Sequence, residues 1–544
     1  MLDDRDATCL DLLPDEVLLV VLKGASELAD WPACARVCQR WHALVRASRS
    51  TLHVQLARPL YDGMLTAALQ AGVSSCQPLE TLVLQRDEQS SSARIIPGQL
   101  PWLESDLDSL RLILERSSLR VLQISGPPDA QSVPLPVASV LEEFFTHATA
   151  TDLRRLDLSG VGVCGDALRP LLARSSHLED LRLGGHLRGG IGDSVIDECV
   201  MPLAPQLREL SLAGCQEVSV RAVVQLCRAS ATLTALDLSM VRLTAAALRD
   251  VLEPPSIRCS LLRLSLCGYT GLPSKSLAHA LDVCLALESV DFSASLLKAD
   301  AFDELCAAEG RGAGEEGRPR LTNLQTARFL DCSDLTCAAI EKLCAATGGS
   351  LRHLALGGVF SRLADWTGHA IGLGCGGQAG GRSQLAATPS LTRLELISWK
   401  PSAEAMAALL PLASSLEYLD LSDVSGGPDG VSEDALATLL RRYGPGCGAR
   451  LRVLLLRGCA DAVTDSLLAG FLPRAHALER LDVAHCSAIT DLSARLISSA
   501  ASRALRKLRH VDVSHCTRIT RRGRALLRLH VPCVSSNDSD NDDE

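Results

Sequence analysis

Histidine stands directly beside cysteine twice near the end of the chain, at His485–Cys486 in LERLDVAHCSAITD and at His515–Cys516 in LRHVDVSHCTRIT. Such a pair can act as an imidazole-activated thiol nucleophile, or it can supply two ligands to a zinc ion. A zinc site needs further ligands at set spacing, and none is evident nearby; no C-x-x-C pair occurs among the 21 cysteines. Cys486 follows Leu478 by eight residues, and Cys215, Cys332, Cys459 and Cys516 keep the same offset from Leu207, Leu324, Leu451 and Leu508. A residue type pinned to one phase of a repeat reads as packing: a thiol is small, buryable and a weak hydrogen-bonding group. These cysteines are therefore expected to point inward where a strand ends. No catalytic residue, metal or cofactor is expected.

The elements that position them repeat. The pattern L-x-x-L-x-L starts at Leu79, Leu119, Leu153, Leu178 and Leu207, and runs on through ten further starts to Leu478 and Leu508. The cleanest starts lie 25–30 residues apart, which is the leucine-rich-repeat period. In LERLDV, Leu481 and Val483 alternate with Asp482, giving a short strand one apolar face. In TDLSARLISSAASR (490–503), Leu492, Leu496 and Ile497 recur at helical spacing. One such unit cannot bury its apolar face alone, but stacked units bury a continuous core. The expected fold is α/β: a horseshoe solenoid of about 15 units with parallel strands concave and helices convex. The phrase C-x-x-[IV]-T-D, in CSAITD and CADAVTD with CTRITR as a variant, resembles the cysteine-containing leucine-rich-repeat subtype.

Composition narrows the function classes. The formal net charge of −10 argues against general affinity for nucleic acid or anionic membrane. No apolar run reaches the ~18 residues of a membrane span. The acidic start MLDDRDATCLDLLPDE lacks the layout of a signal peptide, and cysteines spread along the chain suit a reducing compartment. Cytoplasmic and/or nuclear residence is expected.

Ahead of the repeats, residues 8–48 contain no L-x-x-L-x-L and read as helices. Val17, Leu18, Val21 and Leu22 form one apolar stripe; Trp31, Val37, Cys38, Trp41 and Leu44 form another behind Asp30 and Pro32. About 40 residues is near the lower limit of independent stability, so this segment completes its core against a partner or against the first repeat. The plain alternative is a cap on the open end of the array. L-P-D-E-V-L at 13–18 and V-C-Q-R-W at 37–41 resemble the F-box, through Leu13, Pro14, Glu16, Val17, Leu18, Val37, Cys38 and Trp41. Trp31 departs from the leucine more usual after Asp in that family. The resemblance implies a small all-helical F-box that docks on the Skp adaptor, with Val21, Leu22 and Leu44 among the docking residues. Through that adaptor it implies a cullin–RING ubiquitin ligase of the SCF type, in which this chain is a non-catalytic receptor. The alternative is a stand-alone repeat scaffold.

The domain reading is then the F-box at 8–48, a linker or capping segment at 49–78 and the solenoid at 79–530. A Gly-rich insertion occupies 361–390, readable as a lid or as a plain insertion, and an acidic tail at 531–544 is expected to be disordered. The target, a protein, is expected on the concave face. Asp157, Asp237, Asp291, Glu395, Asp420, Asp482 and Asp512 share one strand position, an acidic ladder that would attract a basic segment. L-x-L-D-L also occurs in such repeats whatever they bind. Binding energy concentrates in Trp, Tyr and Arg anchors, so Arg393, Trp399, Tyr418, Arg457 and Arg480 join His485, His510 and His515 as candidate contacts.

Overall fold

The computed structural model describes residues 51–56, 79–86, 104–116, 118–124, 136–147, 152–185, 191–298, 300, 302, 320–332, 334–358, 391–398, 409, 415–424, 433–440, 450–460 and 462–536. The segment expected to be the F-box and the Gly-rich insertion lie outside the described residues. Two compact units divide the chain, Met1–Ala231 and Thr232–Glu544.

In the first unit six strands pair in parallel, each with the next: β1 Thr51–Leu56, β2 Thr81–Arg86, β3 Val121–Ile124, β4 Arg155–Asp157, β5 Asp180–Arg182 and β6 Glu209–Ser211. Helices α1 Glu104–Arg116, α2 Pro136–His147, α3 Gly165–Arg174 and α4 Val220–Ala229 alternate with them.

The second unit repeats the scheme with β7 Ala235–Asp237, β8 Arg263–Ser265, β9 Ser289–Asp291, β10 Thr326–Leu330, β11 His353–Gly357 and β12 Arg393–Ile397. It continues with β13 Tyr418–Asp420, β14 Val453–Leu455, β15 Arg480–Asp482, β16 His510–Asp512 and β17 Cys533–Ser535, all parallel neighbours. Its helices are α5 Ala245–Leu252, α6 Pro255–Ser260, α7 Ser274–Val283, α8 Cys337–Thr347, α9 Glu433–Leu440, α10 Asp465–Phe471, α11 Asp491–Arg503 and α12 Arg521–His530. No helix among the described residues is long and apolar enough to cross a membrane. Each unit is a leucine-rich-repeat solenoid.

The ladder extends beyond both ends of the 79–530 span read from the leucine pattern. β1 pairs with β2 so that Leu52 and Val54 match Leu82 and Leu84, but Arg49 stands where the opening leucine would be. β17 pairs with β16, with Val531 in the leucine position and Ser536 in place of the last aliphatic. Pairing to a neighbouring strand recruits these two segments although their own leucine signature is degraded.

Within a repeat the sequence explains each turn of the chain. The second and third aliphatics of each signature are buried, as Leu481 and Val483 are at 0% exposure. Burying one such side chain stabilises by about 1.5–3 kcal/mol, so the array rests on columns of leucine and valine. The backbone then turns through a residue of positive φ, seven residues past the opening leucine. This holds in each of the thirteen repeats from Leu153 to Leu508, whether the residue is Gly458 at 71° or His485 at 59° and His515 at 60°. Side chains other than glycine cost about 1–2 kcal/mol there, so the surrounding repeat over-determines the turn.

The threonine of the cysteine-containing phrase caps three helices. Thr464, Thr490 and Thr520 accept the N–H of Leu467, Leu492 and Gly523 at the starts of α10, α11 and α12. The aspartate that follows reaches into the next repeat. Asp465 accepts Thr490 N–H at 3.0 Å and Oγ1–H at 2.7 Å, and also Ser493; Asp491 holds Thr520 in the same way at 2.8 and 2.7 Å. Each helix start is thereby fastened to its neighbour.

Candidate partner-binding face

The cysteines that stand beside histidine are donors inside the fold. Cys486 Sγ lies 3.2 Å from the carbonyl of Leu456 in the preceding repeat, Cys516 3.1 Å from Val483, Cys459 3.0 Å from Leu421, Cys332 3.3 Å from Phe292 and Cys215 3.2 Å from Leu183. Each carbonyl is the last residue of the preceding signature, where the strand ends and a buried acceptor needs a partner. Ser295 Oγ and Tyr269 Oη serve the same acceptor position, at Leu266 and Leu238. Burial pushes the Cys459 and Cys332 thiols up to about 12 and that of Cys516 to about 11, and it raises Cys486 as well. Thiols so held are protonated and shielded from solvent at neutral pH, the opposite of the exposed thiolate that a nucleophile needs. Among the described residues no group of three or more His, Cys, Asp or Glu could hold a metal ion.

The histidines turn the other way. His485 and His515 occupy the positive-φ position, are exposed, and stack with ring centroids 4.2 Å apart and 17° between planes. Arg457 Nη2 lies 3.2 Å from His485 Nε2; guanidinium can only donate, so that nitrogen is the acceptor of a neutral imidazole. Burial, the Arg457 charge and His515 all lower the pKa of His485.

Strand register assembles the remaining candidates. His353, Arg393, Tyr418, Val453, Arg480 and His510 align across β11 to β16, as do Ala355, Glu395, Asp420, Leu455, Asp482 and Asp512 two residues on. Residues two apart share a face, and adjacent strands are about 4.8 Å apart, so both columns line one surface. At its centre Glu395 is 2% exposed and accepts from Arg393 Nε at 2.7 Å and His353 Nε2 at 2.9 Å. Burial alone would raise its pKa; the His353 bond and the charges of Arg393 and His353 outweigh it and leave it at about 2. The Arg393 guanidinium lies 3.8 Å above the centre of the Tyr418 ring, a cation–π contact that fixes both side chains. Val453 and Leu455 form an aliphatic step between Tyr418 and Arg480.

The acidic ladder is engaged with the backbone. Oδ1 of Asp157, Asp237, Asp291, Asp420, Asp482 and Asp512 each accepts the N–H two residues ahead, at 2.8–3.0 Å. This bond closes the turn after the strand and accounts for the L-x-L-D-L phrase. Asp420 is 2% exposed, and burial, offset in part by Ser422, pushes its carboxyl up to about 6. Burial and the charge of Asp512 raise Asp482 too. Glu395 is one methylene longer and goes to His353 and Arg393 instead.

The structure thus gathers Arg393, Glu395, Tyr418 and Asp420 in one cluster and Arg457, His485 and His515 in another, with Arg480, Asp482, His510 and Asp512 in register beside them. Trp399 lies outside the described residues; its offset of eight from Leu391 is the cysteine position, a signal against its place among outward contacts. His353 was missed. LRHLAL at 351–356 and LRHVDV at 508–513 put His353 and His510 in the same phase, and that likeness could have found it.

Comparison with known proteins bears first on the other end of the chain. Residues 10–51 match the F-box-like family model, a span that holds every adaptor-docking candidate from Leu13 to Leu44; these residues lie outside the described ones. No curated protein matches the chain. Solved structures similar to it include that of Rad7 and Elc1 in complex from yeast, at 14% identity over 68% of this chain and 88% of that one, TM-score 0.34. Others are the complex of TLR13 with ssRNA13, at 17% identity over 89% of this chain and 61% of that one, TM-score 0.39, and a Leptospira interrogans LRR protein, at 13% identity over 91% of each, TM-score 0.32. At these identities the fold reading rests on the strand register, the buried leucine columns and the repeated turn. The chain thus joins an F-box-like match at residues 10–51 to the leucine-rich repeats of the two units.

Proposed function

We propose that this chain is the target-recognition subunit of an SCF-type ubiquitin ligase, working inside the cell in the cytoplasm, the nucleus or both. Leu13, Pro14, Glu16, Val17, Leu18, Val21, Leu22, Val37, Cys38, Trp41 and Leu44 dock on the Skp adaptor, and through it on a cullin–RING core. The strand face around Arg393, Tyr418 and Arg480 holds a target protein. The chain itself performs no bond-making step: it raises the local concentration of target lysines near a ubiquitin thioester carried by another subunit. The observation that carries this reading is the F-box-like match at 10–51, which falls on the L-P-D-E-V-L and V-C-Q-R-W phrases. Free, buried thiols along the described repeats suit a reducing compartment.

The test is co-purification with the Skp adaptor, comparing the wild-type chain with a Leu13→Ala/Pro14→Ala/Trp41→Ala variant. Retention of adaptor by the wild type and its loss in a variant of unchanged melting behaviour is the expected result. Failure of the wild type to hold adaptor would sink the reading and leave the N-terminal segment as a cap on a binding scaffold.

A further inference from the structure

Burial sorts the charges of the strand face by sign. From β12 to β16 the acids of the shared column lie deepest: Glu395, Asp420 and Asp482 are buried, and Asp512 is half-buried. The aspartates accept backbone N–H groups through Oδ1, and Glu395 accepts from Arg393 and His353. The same face turns its cations outward. Arg393, Arg457, Arg480 and His510 are half-buried, and His485 and His515 are exposed in the turns after β15 and β16. Arg457 belongs to this face because it follows Leu455 by two residues and Val453 by four. A ligand that approaches here meets guanidinium and imidazole groups ahead of the carboxylates of the column.

The arginines are held in place with donors to spare. Arg393 commits Nε to Glu395 and lies over the Tyr418 ring, while Arg457 sets Nη2 against His485 Nε2. A guanidinium carries further N–H groups beyond these, in a fork that matches a carboxylate. Asp423 is exposed in the same row of turns, against Gly458, and tempers the field at His485. Burial raises the carboxyls of Asp420 and Asp482, so each gives up its negative charge more readily than an exposed aspartate. Strand spacings of about 4.8 Å carry the face from β12 to β16 over roughly 19 Å, the reach of about six extended residues.

We infer that the target segment held by β12 to β16 is acidic, with its Asp or Glu carboxylates on Arg393, Arg457 and Arg480. This is the reverse of the basic ligand that the L-x-L-D-L ladder suggests. The inference rests on the proposed docking of a target on this face and adds the chemistry of that target. A basic segment would find the aspartates of the column turned onto their own backbone, behind a row of like charges.

The experiment uses fluorescein-labelled hexaglutamate as probe and reads anisotropy with the full chain and three variants of it. The wild type should bind the peptide and release it in high salt. Arg457→Gln/Arg480→Gln should weaken binding at least about tenfold. Arg521→Gln/Arg522→Gln, which removes the same charge from exposed positions on α12, should change it less than about twofold. Arg457→Lys/Arg480→Lys should keep most of the binding, and Arg457→Gln alone should lose part of it, which guards against a double variant that misfolds. No binding of hexaglutamate by the wild type would overturn the inference, as would an equal loss from the α12 pair and the strand-face pair. The receptor reading is tested apart: a chain that retains the Skp adaptor and ignores hexaglutamate overturns the acidic target alone.

Discussion

At the scale of the residue, position within the repeat decides what a side chain can do. Asp420 and Glu395 are carboxylates in adjacent strands at the same phase, yet one is raised to about 6 and the other held at about 2. Glu395 meets the Arg393 guanidinium and a His353 hydrogen bond, whereas Asp420 meets chiefly a backbone N–H and loses its water. Because the folded form of Asp420 keeps a proton that the unfolded chain releases near 3.8, stability falls as pH rises from about 4 to 6. Asp420→Asn keeps the acceptor oxygen and removes the charge. It should therefore stabilise by roughly 1–3 kcal/mol at pH 7, with the gain gone below about pH 4, as thermal melts at both values would read. A gain of equal size at both pH values would show that burial of charge is not its origin. Glu395→Gln should act in the opposite sense at neutral pH, since the ion pairs that hold it are present down to about pH 2. The thiols give a second check. Under native alkylation Cys164, Cys259 and Cys533, which are exposed, should react, while Cys332, Cys459, Cys486 and Cys516 stay unmodified until the chain is unfolded. Native labelling of Cys486, read by peptide mass spectrometry, would restore the nucleophile reading.

At the scale of the element, helices are held by bonds that cross from repeat to repeat. Asp465 serves Thr490 and Ser493, while Asp491 serves Thr520 alone because Gly523 stands where Ser493 would be. Asp465→Ala should cost about 1–2 kcal/mol and Asp491→Ala somewhat less, measured by urea unfolding with unchanged m-value. Equal costs would mean that the serine contributes nothing. This linkage was half legible beforehand: the T-D phrase was visible, but its aspartate reads as an ordinary first-turn acid until the next helix start is brought beside it.

At the scale of the whole molecule, the reading divides labour between the N-terminal segment and the strand face, and separation of the two is testable. Arg393→Ala/Tyr418→Ala removes a stacked pair at the centre of the face. It should weaken capture of a target by a factor of 30 or so, the ~2 kcal/mol of an interface hot spot, and leave retention of the Skp adaptor unchanged. Loss of both activities together in a pull-down with each partner would mean that the variant had unfolded or that the face is not separate from adaptor docking. The solenoid architecture makes independence plausible in physical terms, since each repeat contacts chiefly its neighbours.

Much of this protein follows from its sequence because the governing interactions are local and periodic. The leucine period, the strand alternation, the phase of the cysteines, the Thr caps and the F-box-like phrases are all set within a repeat or a short segment. The tertiary structure decided what depends on the adjoining repeat, 25 to 42 residues away. It turned the aspartates of the ladder onto their own backbone and joined His353 to Glu395 on the adjoining strand. It stacked His485 on His515 through successive left-handed turns, and it drew β1 and β17 into the ladder without an opening leucine. Those outcomes depend on backbone direction and on which neighbour lies about 4.8 Å away, and a pattern along the chain encodes neither.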